Sequence, residues 1–256
     1  MGKVIAVTNQ KGGVGKTTTG INLAASLARN ARKVLLTDID PQGNATVGSG
    51  VDKDQDGLVT IYDVLMGNDK AESAIVVTTN DFDLIPANSD LSGAQVELLD
   101  ELGRELRLKS ALVSIRQQYD YVLVDCPPSL NLLTVNALTA ADTVIIPMQC
   151  EYFALEGLTD LINTIRKIRE ALNPNLRIEG LLRTMYDGRN TLSMEVSDQL
   201  QAHFGDKVYE TIIPRNVRIA EAPSHGVPVS TYDLASKGAQ AYLALAGELL
   251  QREQAA

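Results

Sequence analysis

The stretch KVIAVTNQKGGVGKTTT, Lys3 to Thr19, decides how this chain folds. Val4 to Val7 is a short apolar run that reads as a buried strand. It breaks at Asn9 and Gln10 into the loop KGGVGKTT, and a helical run follows from Thr18. Strand, glycine-rich loop and helix N-terminus in this order make a phosphate cradle. Glycines let backbone N–H groups turn inward, and the helix dipole favours an anion. A glycine-rich stretch alone is often only a turn, but here three glycines, Gly-Lys-Thr, a strand and a helix coincide. The expected nucleotide contacts are Gly12, Gly13, Val14, Gly15, Lys16, Thr17 and Thr18. Lys16 is expected to reach the β- and γ-phosphates, and the Thr17 hydroxyl to ligand Mg²⁺. The pattern G-x-x-x-x-G-K-[ST] fails at one place, where Gln10 replaces glycine, and a second lysine, Lys11, stands at the loop entrance.

Outward from the loop, Lys33 to Thr37 (KVLLT) is a second apolar strand that delivers Asp38 and Asp40 beside it. Carboxylates at strand ends near a nucleotide suit Mg²⁺–water networks and the positioning of an attacking water. Either can instead cap the turn at Pro41–Gly43, a role that fits Asp38 better than Asp40. Asp120 to Val124 (DYVLV) is a buried strand ending at Asp125, which has the Walker B arrangement for holding Mg²⁺ through water. Further strands are predicted at Phe82–Pro86, Asp142–Pro147, Arg177–Leu182 and Val208–Ile213. Helices are predicted at Thr19–Arg29, Gly57–Gly67, Ser89–Leu99, Glu105–Gln117, Leu130–Ala140, Leu155–Leu172, Thr191–Phe204 and Ala235–Arg252. TMYDGRN, from Thr184, reads as a loop where Arg183 and Arg189 cluster, and Arg215 and Arg218 follow in the loop begun by Pro214. The alternation predicts an α/β fold: a doubly wound, mainly parallel sheet of about seven to eight strands, helices on both faces, ligand at the strand C-termini.

A chain of 256 residues, 45% of them hydrophobic, can bury one sizeable core, and no stretch reads as a linker. The expectation is one P-loop domain over 1–256. A strand within three residues of the start leaves no room for a signal peptide, and no apolar run nears the ~20 residues a bilayer span needs. A soluble, cytoplasmic protein is expected. Cys126 and Cys150 sit at buried strand ends and read as core thiols. Net charge is −9 and the pI is 4.8, so the basic footprint of a nucleic-acid binder is absent. Any DNA binding must come from a local patch, such as one assembled across a dimer.

The blocks NQKGGVGKTTT, DIDPQGN (Asp38–Asn44), LVDCPPSL (Leu123–Leu130), EYFALEGL (Glu151–Leu158), TMYDGR (Thr184–Arg189) and IPRNVRIAEAPSHG (Ile213–Gly226) run through nearly the whole chain. In them the sequence resembles the deviant P-loop ATPases of the ParA/MinD group, and most of all the chromosomal ParA (Soj) partition proteins. The resemblance implies ATP and Mg²⁺ as cofactors and a homodimer in the ATP state. It implies catalytic roles for Lys11, Lys16 and Asp40, with Lys11 crossing to the partner subunit's nucleotide. It places Pro214 and Asn216 against adenine. It further implies non-specific binding of double-stranded DNA through Arg189 and Arg218, and a ParB-type partner that stimulates hydrolysis. Such a protein would be nucleoid-associated and would segregate chromosomes or plasmids. Arg183 and Arg215 can as well pair with acidic neighbours. A MinD-like regulator would carry a basic amphipathic last helix, whereas this one offers only Lys237 and Arg252. A nitrogenase-reductase-like electron donor needs two cluster cysteines, and Cys150 lacks a matching context. A metabolic P-loop ligase or kinase needs a small-substrate pocket that the sequence does not reveal.

Overall fold

Strands that are apolar residue after residue need cover on both faces, and this chain supplies it. The computed structural model describes residues 2–254. Its eight strands are β1 (Lys3–Val7), β2 (Val34–Asp38), β3 (Val76–Val77), β4 (Asp83–Ile85), β5 (Tyr121–Asp125), β6 (Thr143–Gln149), β7 (Arg177–Tyr186) and β8 (Val208–Pro214). They form one sheet in the order β3-β4-β2-β5-β1-β6-β7-β8. Among the described residues every neighbouring pair is parallel except β3 with β4. The expected doubly wound sheet is therefore present, with a two-residue antiparallel edge that periodicity is too short to signal.

The helices are α1 (Lys16–Arg29), α2 (Asn44–Gly48), α3 (Ile61–Met66), α4 (Leu91–Glu97), α5 (Arg107–Leu112), α6 (Leu132–Ala140), α7 (Ala154–Ala171), α8 (Thr191–Phe204), α9 (Val217–Glu221), α10 (Val229–Tyr232) and α11 (Lys237–Gln254). Strand alternation sorts side chains between two cores. Val4, Ala6, Leu35, Val122 and Val124 face the layer that contains α6, α7 and α8. Ile5, Val34, Leu36 and Leu123 face α1 and α11. Chain connections run from β1 out to β2 on one side, and from β5 across to β6 on the other. The crevice between the two directions opens over the C-terminal end of β1, the place where such sheets hold ligands.

Two expectations need correction. The Glu105–Gln117 helix is interrupted: α5 lies between short 3-10 turns at Arg104–Leu106 and Arg116–Gln118. Tertiary bonds override the local pattern. The Arg116 guanidinium donates to Gly2 O at 2.7 Å and pairs with Asp142 at 2.6 Å, which bends the segment inward. Asn136 Oδ1 accepts from Leu108 N, fixing where α5 begins. The second correction concerns β7, which runs past Leu182 to Tyr186 because β6 pairs with it as far as Thr184 and β8 as far as Tyr186. Arg183 is thus a buried sheet residue and does not cluster with Arg189. Its guanidinium donates to Ser197 Oγ at 2.9 Å and Tyr209 O at 2.6 Å, with no carboxylate partner among these bonds.

Candidate functional site: a phosphate-loop cleft

The loop leaves β1 and enters α1 through glycines in the left-handed region, Gly13 at φ 72° and Gly15 at φ 87°. Side chains rarely adopt that conformation, which explains the glycines. Gly15 occupies the N-cap of α1 without a capping side chain, so the first-turn N–H groups of α1 remain available to an anion. Lys16 is 7% exposed, and its Nζ donates to Lys11 O at 3.1 Å. Burial lowers its pKa, and the charge of Asp125 opposes that effect. Lys11 points away from the loop and forms an ion pair with Glu151 on a half-exposed surface. Its backbone N–H is held by Asn9 Oδ1 at 3.0 Å, and Asn9 Nδ2 in turn donates to Pro147 O at 2.8 Å. Gln10, where the pattern expects glycine, reaches Thr164 Oγ1 of α7 at 3.4 Å and docks the loop entrance there.

Below the loop three carboxylates converge. Asp38 and Asp125 are register partners on β2 and β5, and both are fully buried. Asp38 is occupied by the turn: Oδ2 accepts from Thr46 N and Thr46 Oγ1, both at 2.8 Å, and Oδ1 from Asp40 N at 3.1 Å. Burial pushes its carboxyl up to about 6. Asp40 also braces the turn, accepting from Gln42 N at 3.0 Å, but it lines the cleft. Asp125 is different, because both of its oxygens are buried and make no close hydrogen bond, with the Thr17 hydroxyl standing nearby. Burial, then the facing Asp38, push its pKa well up, while the Thr17 hydroxyl and Lys16 pull the other way. A carboxylate left unpaired in such a place calls for a cation. Asp125 with the Thr17 hydroxyl is a hard-oxygen donor set that suits Mg²⁺.

The cleft has a volume of about 550 Å³. Its lining brings together Gly12, Gly13, Gly15, Lys16, Thr17 and Thr18 with Asp40, Pro214 and Asn216. Val14 is buried beneath the loop at 1% exposure, and Lys11 lies outside the lining. Asn216 Oδ1 also caps α9 by accepting from Ile219 N at 3.3 Å. Sequence reasoning missed Thr184, Met185 and Tyr242 as cleft residues: the first two open the TMYDGR block, from which only Arg189 was taken, and Tyr242 lies on the distant α11 with no motif of its own. Tyr242 Oη lies 3.4 Å from Thr19 Oγ1, tying α11 to α1.

Arg218 lies on α9 and not in a loop, and Arg189 and Arg218, expected to face DNA, both hold carboxylates. Arg189 forks onto Asp187 at 2.9 and 2.7 Å and holds that carboxyl down near 2. Arg218 pairs with Glu221 at 2.8 Å and Asp233 at 3.4 Å. Arg215 lines the cleft. Cys126 and Cys150 are both free and buried, as core thiols should be.

Sheet topology, loop and buried carboxylates define a P-loop nucleotide hydrolase whose loop carries an additional lysine. A family model described as an AAA domain matches residues 2–178. The sporulation initiation inhibitor protein Soj of Bacillus subtilis is 55% identical over 250 residues, covering 97% of this chain and 98% of that protein. The chromosome partitioning protein ParA of Caulobacter vibrioides is 56% identical over 255 residues, covering 98% of this chain and 95% of that protein. A crystal structure of cobyrinic acid a,c-diamide synthase from Mycobacterium smegmatis, with bound ADP and magnesium, is similar at TM-score 0.87 and 40% identity, covering 99% of this chain and 96% of that one. The chain belongs to this AAA-domain family and, within it, to the ParA/Soj ATPases of the ParA/MinD group. Among the described residues no helix is long and apolar enough to cross a membrane.

Proposed function

We propose that the chain, as one ATPase domain over 1–256, is an ATP-driven switch that segregates chromosomes or plasmids. The observation that carries this reading is Asp125, a buried carboxylate without partners under a glycine loop that holds a buried lysine. ATP with Mg²⁺ would supply the transferable phosphoryl group and the counter-charge that Asp125 lacks. Loop N–H groups from Gly12 to Thr18 would hold the phosphates, and Lys16 would exchange its bond to Lys11 O for them. Thr17 and Asp125 would hold Mg²⁺, Pro214 and Asn216 would border adenine, and Asp40 would orient the attacking water.

Lys11 belongs to a second step. Its pairing with Glu151 lies at a half-exposed surface, where ion pairs are weak and readily exchanged. Release from Glu151 would let it reach the nucleotide of a partner subunit, as an arginine finger does. The ATP-bound homodimer would then bind double-stranded DNA without sequence preference through Arg189 and Arg218, on the nucleoid. A ParB-type protein would stimulate hydrolysis and dissolve the dimer. DNA binding measured with no nucleotide, with ADP and with ATP tests the switch: tight binding is expected with ATP alone, and equal affinity in all three would refute it.

Two other readings have less support. For a MinD-like membrane role the last helix would need a free apolar face, but Tyr242, Leu245, Ala246 and Leu249 of α11 are buried in the core. A metabolic role draws on the 40% likeness to the diamide synthase, against 55–56% to Soj and ParA. Turnover assays with DNA and with small acid substrates separate these classes.

A further inference from the structure

The phosphate loop is held from a direction its motif does not reveal. Thr184, 2% exposed near the end of β7, donates its hydroxyl proton to Val14 O at 2.7 Å. The same side chain packs over Gly15: a Cβ at that glycine would sit 3.8 Å from the Thr184 Cβ and methyl. Val14 O is the carbonyl just before the turn into α1, so tethering it outward leaves the following N–H groups directed into the cleft. The next residue, Met185, adopts φ 48°, an uncommon conformation for a side-chain-bearing residue, and lines the cleft. Tyr186 then pairs in register with Pro214, and its carbonyl accepts from Arg215 N at 3.3 Å. One short segment therefore joins the phosphate loop to the strand end that carries Pro214 and Asn216.

We infer that Thr184 is a positioning residue for nucleotide binding, setting the loop's orientation and its distance from the base side of the cleft. It touches no reacting group; it acts through Val14. This inference rests on the nucleotide-site reading above. Without the tether the N–H-inward loop becomes one of several conformations, and apparent affinity falls by the fraction that remains competent. Thr184→Val keeps the shape and removes the donor, leaving a buried carbonyl unsatisfied. Thr184→Ser keeps the donor.

Calorimetric titration of Mg-ADP into the full-length protein and both variants tests this, alongside melting temperature and steady-state ATP turnover. The Val variant is expected to raise Kd, and KM for ATP with it, about tenfold as the competent fraction drops to roughly a tenth. Its kcat at saturation should stay within about twofold, as expected when ground-state and transition-state binding are lost equally. The Ser variant should recover most of the affinity. A Val variant with wild-type Kd, with or without a lower melting temperature, overturns the inference, because Thr184 would then be merely structural. Failure of the wild-type protein to bind Mg-ADP would instead overturn the nucleotide-site reading itself. If Thr184→Val does not fold, Thr184→Ala measured in the same way decides between these outcomes.

Discussion

Lys16 occupies a place where its charge is poorly served until an anion arrives: buried, lowered in pKa, and bonded to a neutral carbonyl. Removing a buried charge partner costs about 2–5 kcal/mol, so Lys16→Ala should weaken ATP binding roughly thirtyfold to several thousandfold. Equilibrium titration checks this, and normal turnover by the variant would remove the basis for the site. Asp40 and Lys11 should separate binding from chemistry. Asp40→Ala is expected to bind ATP and accumulate as a dimer, whereas Lys11→Ala should stay monomeric with ATP. Sedimentation velocity reads both, and a monomeric Asp40→Ala protein contradicts the assignment. Asp38 gives a pH signature. Its folded carboxyl, at about 6, lies above the ordinary range near 4, so the folded state holds the proton more tightly. Its contribution to stability is complete below about pH 4 and is lost as pH rises through about 6. Asp187, held near 2 by Arg189, titrates below that window. Melting temperatures of the nucleotide-free protein across the window should fall with rising pH, and Asp125→Asn, which removes the second buried carboxyl with a raised pKa, should flatten the fall.

At the scale of elements, β7 and β8 set the side of the cleft remote from the loop motif, and their packing leaves no slack. A Cβ at Gly180 would lie 2.4 Å from Tyr209 Cε2, and the Tyr209 ring is fully buried under the Arg252 guanidinium. Gly180→Ala should therefore destabilise the protein by about 1–3 kcal/mol, the usual cost of overpacking a core, read as a lower denaturant midpoint. A midpoint unchanged from wild type would mean that the strand pair yields easily. The β7 region also shows what a sequence conceals. The loop and strands β1, β2 and β5 were legible because glycine chemistry and unbroken apolar runs are local signals. The end of β7 was not, because Thr184 to Tyr186 are strand only through pairing with β6 and β8. Tyr242 carries no local mark of the cleft, and nothing in the TMYDGR block says that its Thr184 reaches the phosphate loop; the packing of distant elements brings both there. Arg183 misled for the same reason: a guanidinium with no carboxylate partner is seldom buried, and here backbone carbonyls of the neighbouring strand accept from it.

The whole molecule carries a charge of −9, and the arginines proposed to meet DNA, Arg189 and Arg218, already hold carboxylates. Those pairs are exposed and exchange readily, and dimerisation would double the contacts along one duplex. Affinity should fall with salt at a log–log slope of about −0.9 per phosphate contact. Arg189→Ala and Arg218→Ala should each weaken binding and flatten that slope while leaving ATP-dependent dimerisation intact. A salt titration of the Asp40→Ala protein with ATP supplies the reference, and unchanged slopes would place the DNA surface elsewhere. The strand order has a consequence of another kind, in time. β1 is made first, yet its sheet neighbours are β5 and β6, which end at Asp125 and Gln149. At about 5–20 residues per second, the ribosome needs roughly 7–28 s after β1 emerges to supply both. For that interval the phosphate loop hangs from an apolar strand that lacks one or both of its sheet neighbours. Nucleotide cannot template the fold early, because the walls of its cleft at Thr184, Pro214 and Tyr242 are synthesised later still. The loop motif is thus made before the other strands of the sheet and is among the last parts to become competent.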